Sequence, residues 1–307
     1  MLFSKKALIV SIFIIILFAG CSEKETENEI NGLEIHAINV GQGDCTLIIA
    51  PNGKSLLIDA GKNYQGNNQV VPYLRSQGID SLQYIIATHY HADHIGGIDE
   101  VLEEIPVSRF VFDHGGGDDI TTRSYADYIE AIGEKRMTIN QGDGYLIALD
   151  DDVIFECVAS NGNGLDGLSE NDKSVCIVVR YGDFDYFIGG DLNGVNSSSS
   201  TDIESMIADD IGEVDGLKLN HHGSSSSSNR YFLETLEPQF AVIPCGSNSY
   251  GHPHTEVIAR LTEMDIDYFQ TEASDGELLE NDILIITDGF DIFLEGSRSS
   301  REYVASK

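Results

Sequence analysis

The chain has 307 residues, and its 51 acidic residues against 18 lysines and arginines give a formal net charge of −33. A surface this acidic repels phosphate backbones, which argues against tight nucleic-acid binding through the protein's own charge. The simplest role of the charge is to keep the folded chain in solution. With 41% hydrophobic residues, the chain is able to bury the core of one large α/β domain.

The first residues have the pattern of a targeting segment rather than of a folded domain. Lys5 and Lys6 form a basic start, and the apolar run over residues 7–18 is too short for a comfortable membrane span. We therefore assign residues 1–20 to a signal peptide and expect the mature protein outside the cytoplasmic membrane.

The end of this segment, Leu17-Phe18-Ala19-Gly20-Cys21, resembles a bacterial lipoprotein cleavage box, with phenylalanine where leucine is commoner. The resemblance implies cleavage before Cys21 and lipid attachment at that cysteine. An ordinary signal peptide or a short uncleaved anchor is the alternative. Residues 21–31 are polar, and we expect them to tether a single domain, residues 32–307, to the bacterial cell membrane.

Apolar runs between turn residues predict strands, and runs with helical periodicity predict helices. In chain order, strands are predicted at 33–40, 45–50, 55–58, 82–87, 108–112, 137–147, 153–159, 175–181, 186–188, 216–219, 240–244, 267–270, 283–287 and 290–294. Helices are predicted at 70–77, 98–104, 123–134, 203–211, 230–236 and 255–264. Because each half of the chain combines strands with helices, we expect two sheets packed face to face with helices outside.

Two serine runs, residues 197–200 and 224–228, each follow a candidate ligand. We interpret them as active-site loops rather than domain linkers. Four cysteines lie in or beside apolar runs without C-x-x-C spacing, which predicts small core residues rather than disulfides or metal ligands. These are Cys45, Cys157, Cys176 and Cys245.

The densest group of chemically active residues lies in residues 88–97, directly after a predicted buried strand. It places His89, His91, Asp93 and His94 within six positions. Such crowded imidazoles and a carboxylate favour a divalent metal. His89 and His91 are two residues apart, so in extended chain they point to the same side. Asp93 and His94 follow where the chain turns, which suggests a second metal position.

Other candidate ligands also follow predicted strands. Asp191 comes after two glycines that allow close approach of the backbone, and His221 and His222 follow the strand predicted at 216–219. His252 and His254 form a further group. Because strand ends gather at one edge of a sheet, we expect these residues to meet around the first cluster.

The ordered motifs resemble the metallo-β-lactamase superfamily, whose signature H-x-H-x-D-H reads here His89-Tyr90-His91-Ala92-Asp93-His94. More narrowly, they resemble the extracytoplasmic hydrolase domain of ComEC-type DNA-uptake competence proteins. The resemblance spans residues 33 to about 290 and implies an α/β fold, a four-layer αββα sandwich with two metal ions at one edge. The other matching motifs are Asn39-Val40-Gly41-Gln42-Gly43-Asp44, Leu57-Ile58-Asp59-Ala60-Gly61, Gly189-Gly190-Asp191, His221-His222-Gly223-Ser224 and Gly251-His252-Pro253-His254.

The resemblance also implies roles for the candidate ligands. His89 and His91 would hold the first metal, Asp93 and His94 the second, and Asp191 would bridge them. One of the two adjacent histidines at 221 and 222 would complete the second site. We prefer His221, nearer the strand end, and assign His222 to the substrate.

The family's usual third histidine on the first metal is missing. Asn171 stands near that position, and His114 is the other candidate. Asp93 would also orient a water molecule during catalysis. Asp59 either supports a ligand imidazole or is a turn residue. His254 either contacts the leaving group or caps the helix that follows it.

We expect a membrane-tethered, metal-dependent phosphodiesterase or nuclease that uses a metal-activated hydroxide. Histidine and carboxylate ligands suit zinc, and also manganese or iron. The substrate would be DNA or a small phosphodiester of the cell envelope, such as a choline-phosphate ester, and no stable protein partner is predicted. The alternatives are hydrolysis of a lactone or β-lactam, and a non-catalytic binding module that kept the fold.

Overall fold

The computed structural model describes residues 32–273 and 279–307. The predicted signal peptide, the lipidation site Cys21 and the tether lie outside the described residues. No helix in the described ranges is long and apolar enough to cross a bilayer.

The described residues form two β-sheets and seven α-helices. The strands are β1 (Leu33–Ala37), β2 (Thr46–Ile49), β3 (Ser55–Ile58), β4 (Leu82–Ile86), β5 (Val107–Asp113), β6 (Arg136–Thr138), β7 (Val153–Ala159), β8 (Cys176–Tyr181), β9 (Phe184–Ile188), β10 (Gly216–Lys218), β11 (Phe240–Ile243), β12 (Asp267–Gln270), β13 (Ile283–Thr287), β14 (Asp291–Glu295) and β15 (Ser300–Val304). The helices are α1 (Val71–Ser76), α2 (Ala92–Ile95), α3 (Ile98–Glu104), α4 (Arg123–Ile132), α5 (Glu204–Ile211), α6 (Arg230–Leu236) and α7 (Thr255–Glu263).

The two sheets combine antiparallel and parallel pairing in the same way. The first runs in the order β15-β14-β13-β1-β2-β3-β4-β5-β6, and the second in the order β12-β11-β10-β9-β8-β7. In the first sheet the pairs from β3 to β6 are parallel, and in the second the pairs from β9 to β12 are parallel. Ligand sites of open parallel sheets lie at the carboxyl ends of the strands, and the segments that carry His89, Asp191 and His221 follow the carboxyl ends of β4, β9 and β10.

Three apolar clusters create a four-layer arrangement. In β3, Leu56 and Ile58 belong to the cluster between the two sheets, whereas Leu57 belongs to the cluster beneath the helices of the first half. In β9, Tyr186 faces the other sheet and Phe187 packs with the helices of the second half. Successive residues of a strand point to opposite faces, so these strands are buried on both sides. The predicted αββα sandwich is confirmed.

Among the strands, one is much shorter than predicted and one is not predicted at all. The strand predicted at 137–147 is limited to β6, because the side chain of Asp143 accepts a hydrogen bond from Asn140 N and Gly142 adopts φ +86°. The chain turns there instead of extending. The last strand, β15, is not predicted, because its sequence is polar and it pairs at a sheet edge with β14.

The four cysteines of the domain are buried and unpaired in the described part of the chain. Their predicted role as small core residues is confirmed. Burial also raises the pKa of the Cys176 thiol well above its usual value, which keeps it in the inert thiol form.

Candidate metal centre

The first histidine cluster lies between the end of β4 and the short helix α2. His91 has an extended conformation (φ −70°, ψ 147°) at the start of α2, so Asp93 and His94 turn back within the helix. His89 and His94 are fully buried, while His91 is exposed. His89 Nε2 lies 2.9 Å from His91 Nδ1, so the two side chains meet as the sequence pattern predicts.

Asp59 orients His94 from the end of β3. Its Oδ2 lies 2.7 Å from His94 Nδ1, and its two oxygens accept hydrogen bonds from the backbone N and the hydroxyl of Thr88. A carboxylate at Nδ1 leaves the Nε2 lone pair of the imidazole available for a metal. Asp59 therefore contacts the imidazole of a candidate ligand, which is the arrangement that the first of its two predicted alternatives requires.

Asp191 lies at the centre of the site, after β9. Gly190 has φ +56°, and a Cβ there would lie only 2.8 Å from Thr88 Cβ, so glycine allows the second half of the chain to reach the first. Asp191 Oδ1 lies 3.2 Å from His94 Nε2, and its Oδ2 lies 3.8 Å from His89 Nε2. The two oxygens of one buried carboxylate therefore face different histidines.

His221 and His222 each lie near a different carboxylate oxygen of Asp191. Both have left-handed backbone conformations (φ 51° and 52°), so the chain turns tightly after β10. His221 Nε2 lies 3.6 Å from Asp191 Oδ2, whereas His222 Nε2 lies 3.5 Å from Asp191 Oδ1 and 3.7 Å from Asp93 Oδ2.

This placement differs from our preference for His221 beside Asp93 and His94. His222 is buried, and its Nδ1 donates a hydrogen bond to Pro244 O, so Nε2 points inward. The histidine farther from the strand end, His222, is thus the one whose Nε2 lies near Asp93.

The sequence reasoning missed an ion pair behind these histidines. Lys218, in β10, is buried, contacts the carboxylate of Asp44 and donates a hydrogen bond to Gly190 O at 2.6 Å. Asp44 Oδ1 lies 3.3 Å from His222 Nδ1. Two features of the sequence could have indicated it. Lys218 lies inside an apolar strand, and Asp44 is the last residue of the motif at residues 39–44.

His252 and His254 have different surroundings. His252 is buried and lines a cavity of about 300 Å³ at the candidate centre, together with Gln42 and Tyr250. His254 precedes α7, and its Nδ1 accepts a hydrogen bond from Ser225 N at 3.1 Å. Of the two, His252 faces the cavity, and the sequence reasoning selected His254.

Asn171 and His114 were the candidates for the missing first-site ligand. Asn171 lines the cavity, and its Nδ2 lies 3.4 Å from His221. The buried Oδ1 of Asn171 has no hydrogen-bond partner. His114 instead lies 2.9 Å from Glu170 and packs on the ring of Tyr90. The structure therefore brings Asn171, and not His114, to the cluster.

The charges of the site favour a bound cation. Burial opposes ionisation of Asp191, but the neighbouring imidazoles, led by His94, hold the pKa of its carboxyl well below the usual value. Burial likewise opposes protonation of His94, but the carboxylates around it raise its pKa well above the usual value. Burial and the nearby His94 lower the pKa of His89. The carboxylates around His94, which include that of Asp191, thus favour a positive charge in the pocket, either a proton or a metal ion.

Residues 38–246 match the family model described as the metallo-beta-lactamase superfamily. The chain belongs to this superfamily. ComE operon protein 3 of Bacillus subtilis is 27% identical over 256 residues, which cover 78% of this chain and 32% of that protein. Recombination protein 2 of Haemophilus influenzae is 28% identical over 241 residues, covering 74% of this chain and 26% of that protein.

Both relatives are ComEC-type competence proteins, so the predicted resemblance is confirmed. The chain spans a third or less of the length of these curated relatives. Among solved structures, that of the CmlA beta-hydroxylase E377D mutant matches with a TM-score of 0.53 at 11% identity, covering 83% of this chain and 54% of that chain. At this identity the likeness concerns the fold alone.

Membership of the metallo-beta-lactamase superfamily implies a divalent metal, and the side chains fit one. His94 Nε2, His222 Nε2 and Asp191 Oδ1 are buried and have no hydrogen-bond partner. Leaving such atoms unsatisfied is costly, and a metal ion would satisfy all three. Asp93, His94 and His222 place ligand atoms within 4.8 Å of one another, as do His89, His94 and Asp191.

Proposed function

We propose that this chain is a metal-dependent phosphodiesterase that binds two metal ions. The strongest support is that the two carboxylate oxygens of Asp191 face different pairs of histidines. Oδ1 lies near His94 and His222, and Oδ2 lies near His89 and His221. Two-metal sites are well suited to phosphoryl transfer, because one ion can act on the attacking oxygen and the other on the leaving oxygen.

The first proposed position consists of His89, His91, His221 and one oxygen of Asp191. In this arrangement His221 replaces the histidine that the family normally supplies before the bridging aspartate. The support is that His221 and His89 approach the same oxygen, Oδ2, at 3.6 and 3.8 Å.

The second proposed position consists of Asp93, His94, His222 and the other oxygen of Asp191. Zinc, manganese and iron all suit these nitrogen and carboxylate ligands. Bound divalent ions would supply a water molecule of lowered pKa and positive charge near the phosphoryl oxygens.

The protein's own side chains would then position the reactants. Asp93 is half-buried at the edge of the cavity, where its free oxygen can orient the attacking water. His252 lines the same cavity, with its ring centroid 5.4 Å from that of His221. We assign contact with the leaving group to His252 in place of His254, because only His252 lines the cavity.

Hydrolysis of bis-p-nitrophenyl phosphate tests the proposal. The full chain, stripped of metal and reloaded with zinc or manganese, should regain turnover. Asp191→Asn should lower kcat/KM by more than about 100-fold, because even outer partners of metal ligands contribute 10- to 100-fold. Asp151→Asn, which changes an exposed carboxylate in a different part of the fold, is the matched control and should keep full activity.

No metal-dependent turnover of this diester or of single-stranded DNA would refute the phosphodiesterase proposal. Metal-dependent opening of nitrocefin or of a lactone, without phosphodiester cleavage, would assign the site to acyl hydrolysis. Absence of bound metal together with absence of any turnover would favour a binding module.

We also propose that the chain acts outside the cytoplasmic membrane, held there by a lipid on Cys21. The support is the basic start, the short apolar run and the cleavage-box resemblance of residues 17–21.

A further inference from the structure

A second cavity opens beside the candidate metal centre. It has a volume of about 480 Å³ and shares His91, Asn171 and His221 with the 300 Å³ cavity at the centre. A substrate whose phosphate lies at the metal position would therefore extend one of its ester groups into this second cavity, which we call the serine groove.

Most of the side chains that line the serine groove are uncharged and polar, and one of the lining residues, Val195, is apolar. Six serines line it, and no lysine or arginine of the described residues does so. Among the described residues that line it, Glu170 alone has a carboxylate, and this carboxylate lies 3.3 Å from the ammonium group of Lys173. The six serines are Ser169, Ser197, Ser199, Ser200, Ser225 and Ser226.

A buried carboxylate, that of Asp172, fixes one wall of the groove. Asp172 accepts hydrogen bonds from Ser169 N at 2.9 Å, from Asn193 Nδ2 at 2.8 Å and from Thr201 N at 3.2 Å. It thereby joins the two chain segments that carry most of the serines. The hydroxyl of Ser226 reaches across to Asn193 Oδ1 at 3.0 Å.

A second buried carboxylate, that of Glu204, fixes the other wall. It accepts hydrogen bonds from Asn220 Nδ2 and from the backbone N atoms of Ser228 and Asn229. Asn229 in turn donates to Gly194 O at 3.0 Å. The groove is therefore a preorganised structure, so a ligand would bind without the entropic cost of ordering these loops.

We propose that the serine groove binds an uncharged, hydroxyl-rich ester group, so that the substrate is a phosphodiester of a polyol or sugar rather than a nucleic-acid strand. This inference rests on the proposed phosphodiesterase function. A nucleic-acid strand would bring further phosphates against a lining in which no lysine or arginine of the described residues lies, on a chain of net charge −33. Polyol hydroxyls instead find serine and asparagine partners that both donate and accept.

The test compares two alkyl phosphodiesters with similar leaving groups, glycerophosphoglycerol and a short thymidine oligonucleotide. With metal-loaded full chain at about 0.15 M salt, kcat/KM for the polyol diester should exceed that for the oligonucleotide by at least about 10-fold. Equal or better cleavage of the oligonucleotide would overturn the proposal.

Two groove variants and a matched control make the test specific. Ser225→Ala should lower kcat/KM for the polyol diester about 3- to 10-fold more than for bis-p-nitrophenyl phosphate, the effect of one lost hydrogen bond. Ser199→Lys should shift the preference toward the oligonucleotide. Ser198→Lys places the same charge one residue away, outside the groove lining, and should leave the preference unchanged. An equal shift in both lysine variants would contradict the proposal.

A binding measurement separates this inference from the proposed function. If bis-p-nitrophenyl phosphate is not hydrolysed, the phosphodiesterase proposal fails, but calorimetric binding of glycerol 3-phosphate and inorganic phosphate still tests the groove. The groove proposal is supported if glycerol 3-phosphate binds more tightly than inorganic phosphate and if this difference is lost in Ser225→Ala. Equal binding of the two ligands, or an advantage that survives the substitution, refutes it.

Discussion

Two adjacent histidines at the candidate centre lie near different oxygens of one carboxylate. His221 and His222 both have positive φ values, and their side chains reach opposite oxygens of Asp191. Two histidines in sequence can therefore complete two metal positions. In the proposed division, His221 would supply the first position with a ligand in place of the family's usual third histidine.

The proposed division predicts the metal content of single and double variants. His221→Ala and His222→Ala should each reduce tightly bound metal from two equivalents to one, because each removes a ligand from a different position. The double variant should bind none tightly. Elemental analysis after dialysis against a weak chelator measures this.

His254→Ala is the matched control, because His254 contacts Ser225 N and does not line the central cavity. It should retain two equivalents. A His221→Ala protein with both equivalents, or a double variant with one, would show that the two histidines do not divide between positions.

Some residues of the candidate site can be identified from the sequence alone, whereas others become visible only in the structure. His89, His91, Asp93 and His94 are found at once, because their local spacing alone indicates a metal. The pairing of Asp44 with Lys218 joins the loop before β2 to β10, across 174 positions of sequence, and no local spacing indicates it. His252 is obscured because its neighbour His254 looks equally suitable until the cavity wall is seen.

At the scale of elements, helix α5 supports the loop that carries the two adjacent histidines. Its first residue, Glu204, is fully buried and accepts a hydrogen bond from Asn220, the residue directly before His221. Burial raises the pKa of Glu204 to about 7, although its hydrogen bonds to Asn220, Asn229 and Ser228 oppose this.

The raised pKa predicts a pH-dependent stability. The native carboxyl keeps its proton up to about pH 7, whereas an unfolded glutamate loses it near 4.5. The native state thus binds more protons between these values, so the free energy of unfolding should fall as pH rises through this window. The total decrease in the free energy of unfolding across this window is roughly 3 kcal/mol. Glu204→Gln should remove this part of the pH dependence.

Urea unfolding of metal-free protein at pH 5, 6, 7 and 8 measures the effect, with chelator present so that metal binding does not contribute. Asp210→Asn, on the exposed side of the same helix, is the control and should follow the wild type. Parallel curves for wild type and Glu204→Gln would contradict the prediction.

Elements were predicted well wherever burial and local pattern agree. The strand at 55–58 and the helix at 98–104 have the predicted bounds, because each ends at a clear change in polarity or turn residue. The strand β15 was missed because pairing with β14, rather than its own polar sequence, places it in the sheet. The short helix α2 was also missed, because four residues are too few to show the periodicity of a helix.

The described residues repeat one arrangement, with three parallel pairs in each sheet, and the main candidate ligands follow the strands β4, β9 and β10. The fold was predictable because the motifs occur in the family's order along nearly the whole domain. The serine groove was predictable only in part. The serine runs indicated active-site loops, but the buried carboxylates that unite them, Asp172 and Glu204, come from separate segments.

The charge of the whole molecule also bears on how it would be held at a membrane. A net charge of −33 is repelled by anionic lipid headgroups, so electrostatic attraction cannot retain the protein. Retention would depend on an apolar anchor. Wild-type protein should therefore stay with membranes through a wash at about 1 M salt, where surface charges are screened within roughly 3 Å, and should be released by detergent.

Cys21→Ala should move the protein from the membrane fraction to the soluble extracytoplasmic fraction, because no lipid can then be attached. Ser22→Ala changes the neighbouring residue and should leave the protein in the membrane fraction. Immunoblots of washed membranes and of the released fraction measure both variants. If Cys21→Ala stays with the membranes, the apolar run of residues 7–18 acts as an uncleaved anchor, and if the wild type is soluble, the tether proposal is wrong.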